Sequence, residues 1–299
     1  MKLNKYASLT IMVAVMMFIA VLAYNRLSGS GHAEAQAEGQ KALSATGITN
    51  LDIETTADDI EVVPGDQDQI VALLDGDGSK NGYTFDVVQD GQTARINLNG
   101  ASSLFNFQMW GEGTTLKVTV PQKDWDQLTV KTSSGDITLS DLKARTLDVR
   151  SSSGDQHLNG LQISDQATVS SSSGDITART NTINHATWET TSGDIDSEQL
   201  DGQQAQMQTS SGDIRYVQSK LAPDVQLTTS SGDVDAKLTG DTNALQIESN
   251  SSSGTPDIDI DGMQLQDRSD GSTLGTKGQG EAKYHLKIDT SSGDVEVSK

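Results

Sequence analysis

The chain has 299 residues, a formal net charge of −21 and only 4% aromatic residues. It contains no cysteine, which excludes disulfide bonds, thiol catalysis, thiolate metal sites and lipid attachment through an N-terminal cysteine. An acidic chain of this kind repels nucleic acid and anionic lipid headgroups, so we expect neither of them as a partner.

An apolar segment stands at the N-terminus. Residues 7–24 follow Lys2 and Lys5 and would form a helix about 27 Å long, which just spans a bilayer. We therefore expect residues 1–25 to be a transmembrane signal-anchor of the cell membrane, with a cytoplasmic N-terminus and an extracytoplasmic bulk. The alternative is a cleaved signal peptide with a small-x-small site near Ala35 or Ala37, which would give a secreted protein.

The next two regions lack a repeat. Residues 26–44 are rich in Gly, Ser, Ala, Glu and Gln without hydrophobic periodicity, so we expect a flexible linker. Residues 45–127 show the alternation of strands, and we interpret them as the cap of a repeat domain, because terminal repeats are atypical. The candidate strands of this cap are residues 48–54, 60–63, 69–74, 83–88, 94–98 and 115–120.

Two loops of the predicted cap carry residues that could bind a ligand or partner. Residues 75–81 place oxygen ligands at alternate positions, as a calcium loop does, but Lys80 stands where glycine is required and Asp86 where glutamate closes the site. A polar hairpin loop is the preferred interpretation. The loop at residues 99–113 holds large apolar side chains that either cover the open end of the cap or contact a partner. These side chains are Leu104, Phe105, Phe107, Met109 and Trp110.

The remainder of the chain, residues 128–299, is organised by a repeated Ser-Gly-Asp motif. We place its glycines at structural corners; they are Gly135, Gly154, Gly174, Gly193, Gly212, Gly232 and Gly293, with a degenerate copy at Gly254. The copies lie 19 to 22 residues apart as far as Gly254. The last gap is 39 residues, about two periods, which we interpret as one unit that has lost its motif. A fixed period of this length indicates a repeat architecture.

Within each unit apolar and polar positions alternate, which indicates strands and not helices. Val130, Val149 and Trp188, for example, each stand five residues before a corner glycine and are followed by a polar residue. Stacking such units about 4.8 Å apart would bury one continuous core. We therefore predict an all-β fold, a right-handed parallel β-helix (β-solenoid) with repeats of about 19–20 residues, preceded by one transmembrane helix.

Three features of the corner follow from its residue types. Glycine permits a positive φ. The aspartate after it can accept hydrogen bonds from the amides of its own turn. The serine or threonine three residues before the glycine faces inward and would form a ladder of hydroxyl groups.

The corner aspartates would form a column if the corners stack in register, and neighbouring carboxylates repel each other. Bound Ca²⁺ is one way to compensate this repulsion. The other, which we prefer, is hydrogen bonding of each carboxylate within its own turn, with no cofactor. The aspartates are Asp136, Asp155, Asp175, Asp194, Asp213, Asp233 and Asp294.

No catalytic residues are expected. The sequence contains no His-Glu-x-x-His, no Gly-x-Ser-x-Gly and no phosphate-binding glycine loop. Its four histidines, His32, His157, His185 and His285, are isolated from one another in sequence. We therefore predict that the chain is not an enzyme.

The segment LKVTVPQKDWDQLTVKTSSGDITL, residues 116–139, and the Ser-Gly-Asp units after it resemble a bacterial family of β-strand-repeat domains, which is named for adhesion and has no known function. The LiaG-like membrane-anchored envelope proteins are similar. The resemblance covers residues 45–299 and implies an extracytoplasmic β-solenoid without catalytic residues, often anchored in the membrane of Gram-positive bacteria. Residues 250–281 depart from the pattern and either continue the solenoid or interrupt it with a loop.

The predicted N-terminal anchor, the Ser-Gly-Asp repeat and the absence of catalytic motifs together predict a non-enzymatic binding or scaffold module of the bacterial cell envelope. Its partners, besides the membrane, would be a cell-wall polymer or an envelope membrane protein. The alternative is an accessory sensor or regulator of envelope-stress signalling that acts through a membrane protein. A carbohydrate-active β-helix enzyme is less favoured, although function depends on sites and not on fold.

Overall fold

The computed structural model describes residues 39–76, 84–99, 114–254, 256–268 and 272–299. All twenty-four regular elements in these residues are strands, and each strand pairs with another. No helix in this part of the chain is long and apolar enough to cross a membrane. The predicted membrane segment, residues 1–25, lies outside the described residues.

One turn of the solenoid, which we call a coil, consists of a strand before the corner, the corner, a strand after the corner and a return. With strands numbered in chain order, β8 (Asp124–Lys131), a corner and β9 (Ile137–Ser140) make one such coil. In the next strand, β10 (Lys143–Arg150), Leu147 and Val149 are buried, whereas Arg150 is exposed. The alternation predicted from the sequence is confirmed.

The strands that precede the corners lie side by side and form the first face of the solenoid. In chain order these strands are β2 (Asn50–Thr55), β6 (Thr93–Asn99), β8, β10, β12 (Gln162–Ser170), β15 (Gln204–Gln208), β17 (Asp224–Thr228), β19 (Leu245–Ser251) and β23 (Tyr284–Thr290). The strand β13 (Ile176–Glu189) continues through its return, so its second half also belongs to this face.

The strands that follow the corners form the second face, together with the first half of β13. They are β3 (Asp59–Gly65), β7 (Thr115–Pro121), β9, β11 (Gln156–Asn159), β14 (Ile195–Asp201), β16 (Ile214–Gln218), β18 (Val234–Leu238), β20 (Pro256–Asp259) and β24 (Val295–Ser298).

Neighbouring coils pair in parallel, so that equivalent positions of successive repeats form columns. Leu147, for example, lies between Leu128 of β8 and Ala167 of β12. The inward columns build one thin core between the two faces, and the predicted core residue Trp188 is fully buried in it. Because every coil supplies equivalent apolar positions, the core continues along the solenoid.

The spatial order of the coils departs from chain order at the C-terminal end. The last strands of the chain, β23 and β24, lie between the coil of β17 and β18 and the coil of β19 and β20. The prediction that the gap before Gly293 contains a unit without its motif is therefore wrong. The corner at Gly254 stacks outside the one at Gly293. Within residues 250–281, β19 and β20 continue the solenoid. They are followed by an antiparallel pair, β21 (Gln264–Asp267) and β22 (Ser272–Lys277).

The N-terminal end has the same kind of order. The coil of β2 and β3 lies between the coil of β6 and β7 and that of β8 and β9. The antiparallel strands β1 (Gln40–Ser44), β4 (Gln69–Asp75) and β5 (Thr84–Asp90) complete this end, where β4 pairs with β1 and β7, and β5 pairs with β6. All six strands predicted for this region are present, although β2 and β3 form a full coil and not a separate cap.

One boundary needs correction. The flexible linker was expected over residues 26–44, but residues 40–44 form β1, which pairs with β4. Leu43 packs against the core, so this strand is held by apolar contact as well as by its pairing with β4. Residues 26–38 lie outside the described residues.

Candidate functional site

The corners of successive coils stack into one ridge, and their glycines are needed for space. A Cβ at Gly193 would lie 2.1 Å from the carbonyl oxygen of Gly174 in the preceding coil. At all eight motif corners the corresponding distance is 1.8–2.2 Å. None of these eight glycines has a positive φ, so the conformational reason expected from the sequence is wrong. Glycine is required because the backbones approach too closely for a side chain.

The coil of β2 and β3 has a corner without glycine, at residues 55–59. Asp58 occupies the glycine position, and its carbonyl oxygen is the atom that Gly135 approaches. Burial, and secondarily the neighbouring Asp59, raise the pKa of Asp58 to about 6. Sequence reasoning missed this corner because the motif glycine is absent.

The corner aspartates form a hydrogen-bonded ladder along the ridge. Asp194, for example, donates its backbone N–H to the carboxylate of Asp175, and its own carboxylate accepts the N–H of Asp213. The expectation of bonds within one turn is therefore wrong, because donor and acceptor belong to adjacent coils. Charge-assisted bonds of this kind offset the repulsion between neighbouring carboxylates. At 2.8–2.9 Å, the ladder joins Asp59, Asp136, Asp155, Asp175, Asp194, Asp213, Asp233 and Asp294.

A second ladder, of buried hydroxyl groups, confirms the prediction for the position three residues before the glycine. Thr209 accepts the N–H of Gly212 and donates to the carbonyl oxygen of Gly193 in the preceding coil. The hydroxyls that accept the glycine N–H are Thr132, Ser151, Ser171, Thr190, Thr209, Thr229, Ser251 and Thr290. The ridge thus satisfies many of its own polar groups.

The described residues contain no group of three His, Cys, Asp or Glu side chains that could hold a metal ion. The acids at the first and twelfth positions of the calcium-like pattern are ion-paired with lysines: Asp75 with Lys117 at 2.8 Å and Asp86 with Lys41 at 3.1 Å. The intervening residues 77–83 lie outside the described residues.

Other predicted features do not converge on a site. The apolar cluster within residues 104–110 and His32 lie outside the described residues. His157, His185 and His285 lie on β11, β13 and β23, on different coils. The ring of His185 contacts the carbonyl oxygen of Asp165 at 3.3 Å.

A groove of about 500 Å³ lies beside the return that precedes β8. Two lysines, Lys123 and Lys143, line it. The ammonium group of Lys123 lies 4.1 Å from the ring centre of Trp125 and donates to the carbonyl oxygen of Ile48. Burial lowers the pKa of Lys123. This cation therefore connects the return to Ile48, which lies just before β2.

The outward side chains of the second face are mostly charged and paired. In the four coils of β12 to β18, the strands of the second face have eight outward positions, and six of them carry a charge. Arg179 and Arg215 each bridge Asp196 and Glu198, at 2.6–3.0 Å. The hydrogen bond from Arg215 lowers the pKa of Glu198. The six charged residues are Arg179, Asp196, Glu198, Arg215, Asp235 and Lys237.

The same four coils look different on the first face, where only Glu189 and Asp224 are charged among the twelve outward positions that pair in rows; the exposed Asp165, at the bulge of β12, is ion-paired with Arg145. We call the ten uncharged side chains the neutral face. A shallow groove of about 270 Å³ runs across it beside His185 and Gln206. The neutral face consists of Gln166, Thr168, Ser170, His185, Thr187, Gln204, Gln206, Gln208, Gln226 and Thr228.

Several side chains of the neutral face have unused hydrogen-bonding capacity. The side chains of Gln204, Gln206, Gln208 and Gln226 form no hydrogen bond with another residue that the structure describes. Each glutamine amide offers two donors and one acceptor oxygen. Sequence reasoning missed this surface because it followed the motif residues; the signal was the run of uncharged residues at outward strand positions.

Comparison with known proteins gives a family and no ligand. The family described as Toastrack DUF4097 matches residues 48–298, whereas no curated protein matches the chain. Among solved structures, a proposed adhesin from Bacteroides fragilis is 12% identical, with a TM-score of 0.48 over 87% of this chain and 95% of that one.

Two further solved structures are similar. A proposed lipid-binding protein from Parabacteroides distasonis is 14% identical, with a TM-score of 0.41 over 87% of this chain and 96% of that one. A proposed cell adhesion protein from Clostridium sporogenes is 7% identical, with a TM-score of 0.31 over 87% and 97%. Similarity at this level carries no argument about what the present chain binds.

Proposed function

We propose that this chain, which belongs to the Toastrack DUF4097 family, is a non-enzymatic binding or scaffold module of the bacterial cell envelope. The observation that carries the proposal is the neutral face, an extended surface on which the side chains of Gln204, Gln206, Gln208 and Gln226 bond to no other described residue. On the second face, in contrast, Arg179 and Arg215 are ion-paired with Asp196 and Glu198, and at the corners the aspartates and the inward hydroxyls bond between coils. Polar groups left free on a rigid scaffold are available to a ligand.

The arrangement of the described residues favours binding over catalysis. A nucleophile needs a base within hydrogen-bond reach, and that base is usually oriented by a third group. His157, His185 and His285 stand on separate coils, and none of them is hydrogen-bonded to a serine, threonine or carboxylate side chain in the part of the chain that the structure describes.

We further propose that residues 1–25 hold the chain in the cell membrane as one transmembrane helix, with the solenoid on the extracytoplasmic side. The length of the apolar run and the preceding Lys2 and Lys5 support this orientation. In this proposal the solenoid is a right-handed parallel β-helix, the hand that parallel strand crossovers strongly favour.

Co-sedimentation with purified cell-wall sacculi tests the proposed function. The full chain, solubilised in a nonionic detergent, is mixed with sacculi in the presence of calcium or of a chelator. We expect it to pellet under both conditions. Loss of pelleting in chelator would mean that calcium takes part, through the corner aspartates. A chain that stays in the supernatant under both conditions would contradict a wall-binding module and favour a sensor that acts through a membrane protein.

A further inference from the structure

Building on the proposed binding function, we infer that the neutral face is the binding surface and that its ligand is a linear, uncharged polysaccharide. The inference rests on the charge of this face, on the regular spacing of its side chains and on their free hydrogen-bonding groups.

Charge identifies the class of ligand. The chain carries a formal net charge of −21, so an anionic polymer would be repelled from the whole molecule. A cationic ligand would need carboxylates, and the only ones beside the neutral face on these strands are Glu189, Asp224 and Asp165, of which Asp165 is ion-paired with Arg145. An uncharged ligand is neither repelled nor in need of a counter-charge. Hydroxyl groups of a sugar donate and accept hydrogen bonds, as glutamine amides and threonine hydroxyls do.

Geometry favours a polymer over a small molecule. Parallel pairing places Thr168, Thr187, Gln206 and Gln226 in one column that runs across four coils. Adjacent coils are about 4.8 Å apart, so equivalent polar groups recur at that interval. A chain of identical units can meet such a column repeatedly, whereas a single sugar would use only part of it. The shallow groove beside Gln206 offers a track of the same kind.

The neutral face has defined limits. On the strands that flank it, the outward positions carry ion pairs again: Arg150 with Asp148 on β10 at 2.9 Å, and Lys287 with Asp289 on β23 at 2.8 Å. The uncharged patch is therefore confined to four coils and is not a property of the whole first face.

A structural role would explain the glutamines differently, because stacked amides can bond to one another along a column and hold coils together. Gln206 and Gln226 are neighbours in such a column, but the structure shows no hydrogen bond between them. The same coils are already joined by the aspartate and hydroxyl ladders at their corners. The glutamine side chains are thus free for a partner.

The test is affinity electrophoresis of the full chain in nonionic detergent. The gels contain one polysaccharide each: uncharged hydroxyethylcellulose, mixed-linkage β-glucan or dextran, or anionic alginate. We expect at least one uncharged polymer, and not alginate, to retard the chain. Failure of all three uncharged polymers, or equal retardation by alginate, would overturn the inference.

A pair of double variants locates the surface. Gln206→Ala with Gln226→Ala removes two free amides, and we expect about tenfold weaker binding. The matched control, Thr138→Ala with Thr177→Ala, truncates outward residues of the second face and should bind as the wild type does. Thermal unfolding of both variants checks that they are folded. Equal binding by the neutral-face variant and wild type, or equal loss in both variants, would overturn the assignment of this face.

The two proposals fail separately. If the wild type does not pellet with sacculi, the proposed wall-binding function fails. If it pellets and the variant with Gln206→Ala and Gln226→Ala pellets equally well, wall binding stands and the neutral face is not the surface responsible.

Discussion

Gly193→Ala would place a methyl group where the structure has no space. The added Cβ would lie 2.1 Å from the carbonyl oxygen of Gly174, 2.6 Å from the carbon of that carbonyl and 3.0 Å from the nitrogen of Asp175. All three atoms are backbone, so no side chain can rotate away. The two coils would have to separate locally by roughly 1 Å to restore ordinary contact.

The cost follows from the contacts that such a separation disturbs. Overpacking of a well-packed site typically costs about 1–3 kcal/mol. The N–H of Asp194 bonds to the carboxylate of Asp175 at 2.8 Å, and the hydroxyl of Thr190 bonds to the carbonyl oxygen of Gly174 at 3.1 Å; both bonds cross between the two coils. Weakening these two bonds adds about 1 kcal/mol each. We therefore expect a loss of about 3–5 kcal/mol, which lowers the melting temperature of a chain this size by roughly 10 °C.

Thermal unfolding followed by circular dichroism measures the effect, with Gly91→Ala as the matched control. Gly91 lies in the hairpin between β5 and β6, has a φ of +59° and would have no atom within 4 Å of an added Cβ. Its substitution should cost only backbone strain, about 1–2 kcal/mol. If Gly193→Ala melts with the wild type, or if Gly91→Ala is the more damaging change, close packing of the corners is not the reason for their glycines.

Two further predictions concern the carboxylates of the ridge. Asp194→Ala removes the acceptor for the N–H of Asp213 and should lower the free energy of unfolding by about 1–3 kcal/mol. Asp194→Asn keeps a carbonyl oxygen there and should cost less; equal urea midpoints for the two variants would contradict the ladder. Because the folded-state pKa of Asp58, about 6, lies above its ordinary value of 3.8, its charge destabilises the fold increasingly as the pH rises from about 4 to about 7. Asp58→Asn should remove this loss. In urea unfolding we expect its free energy of unfolding to exceed that of the wild type by up to about 3 kcal/mol at pH 8 and by little at pH 4. A difference that does not depend on pH would contradict burial of the carboxyl.

Most of the solenoid could be predicted because repetition reveals the local rules of each coil. Strand alternation, the corner position and the inward hydroxyls recur in every unit, so one unit explains the others. The corner at residues 55–59 escaped notice because Asp58 replaces the glycine. Thr55, Asp59 and Ile60 nevertheless keep the spacing of Thr132, Asp136 and Ile137, which was the signal available.

The order of the coils could not be predicted in the same way. Coils with the same register can pair with one another in any order, so chain order is only a default. Nothing local to residues 284–298 shows that they enter between β17–β18 and β19–β20. The reason for the corner glycines was also hidden, because it depends on the distance between coils and not on the conformation of one residue.

The coil order determines which side chains border the neutral face, since it places Lys287 of β23 beside Gln226 of β17. Disulfide formation between introduced cysteines tests this order most directly, because the chain has no cysteine of its own. In the structure the corner of Ser292 stacks on that of Ser231, and adjacent coils about 4.8 Å apart suit a disulfide.

The corner of Ser253 lies one coil further out, about 10 Å from that of Ser231, which is too far for a disulfide. We predict that the variant Ser231→Cys/Ser292→Cys forms an intramolecular disulfide on mild oxidation and that Ser231→Cys/Ser253→Cys stays reduced. The reverse result would show that the coils stack in chain order, and it would contradict the insertion of the last coil and the border of the neutral face that follows from it.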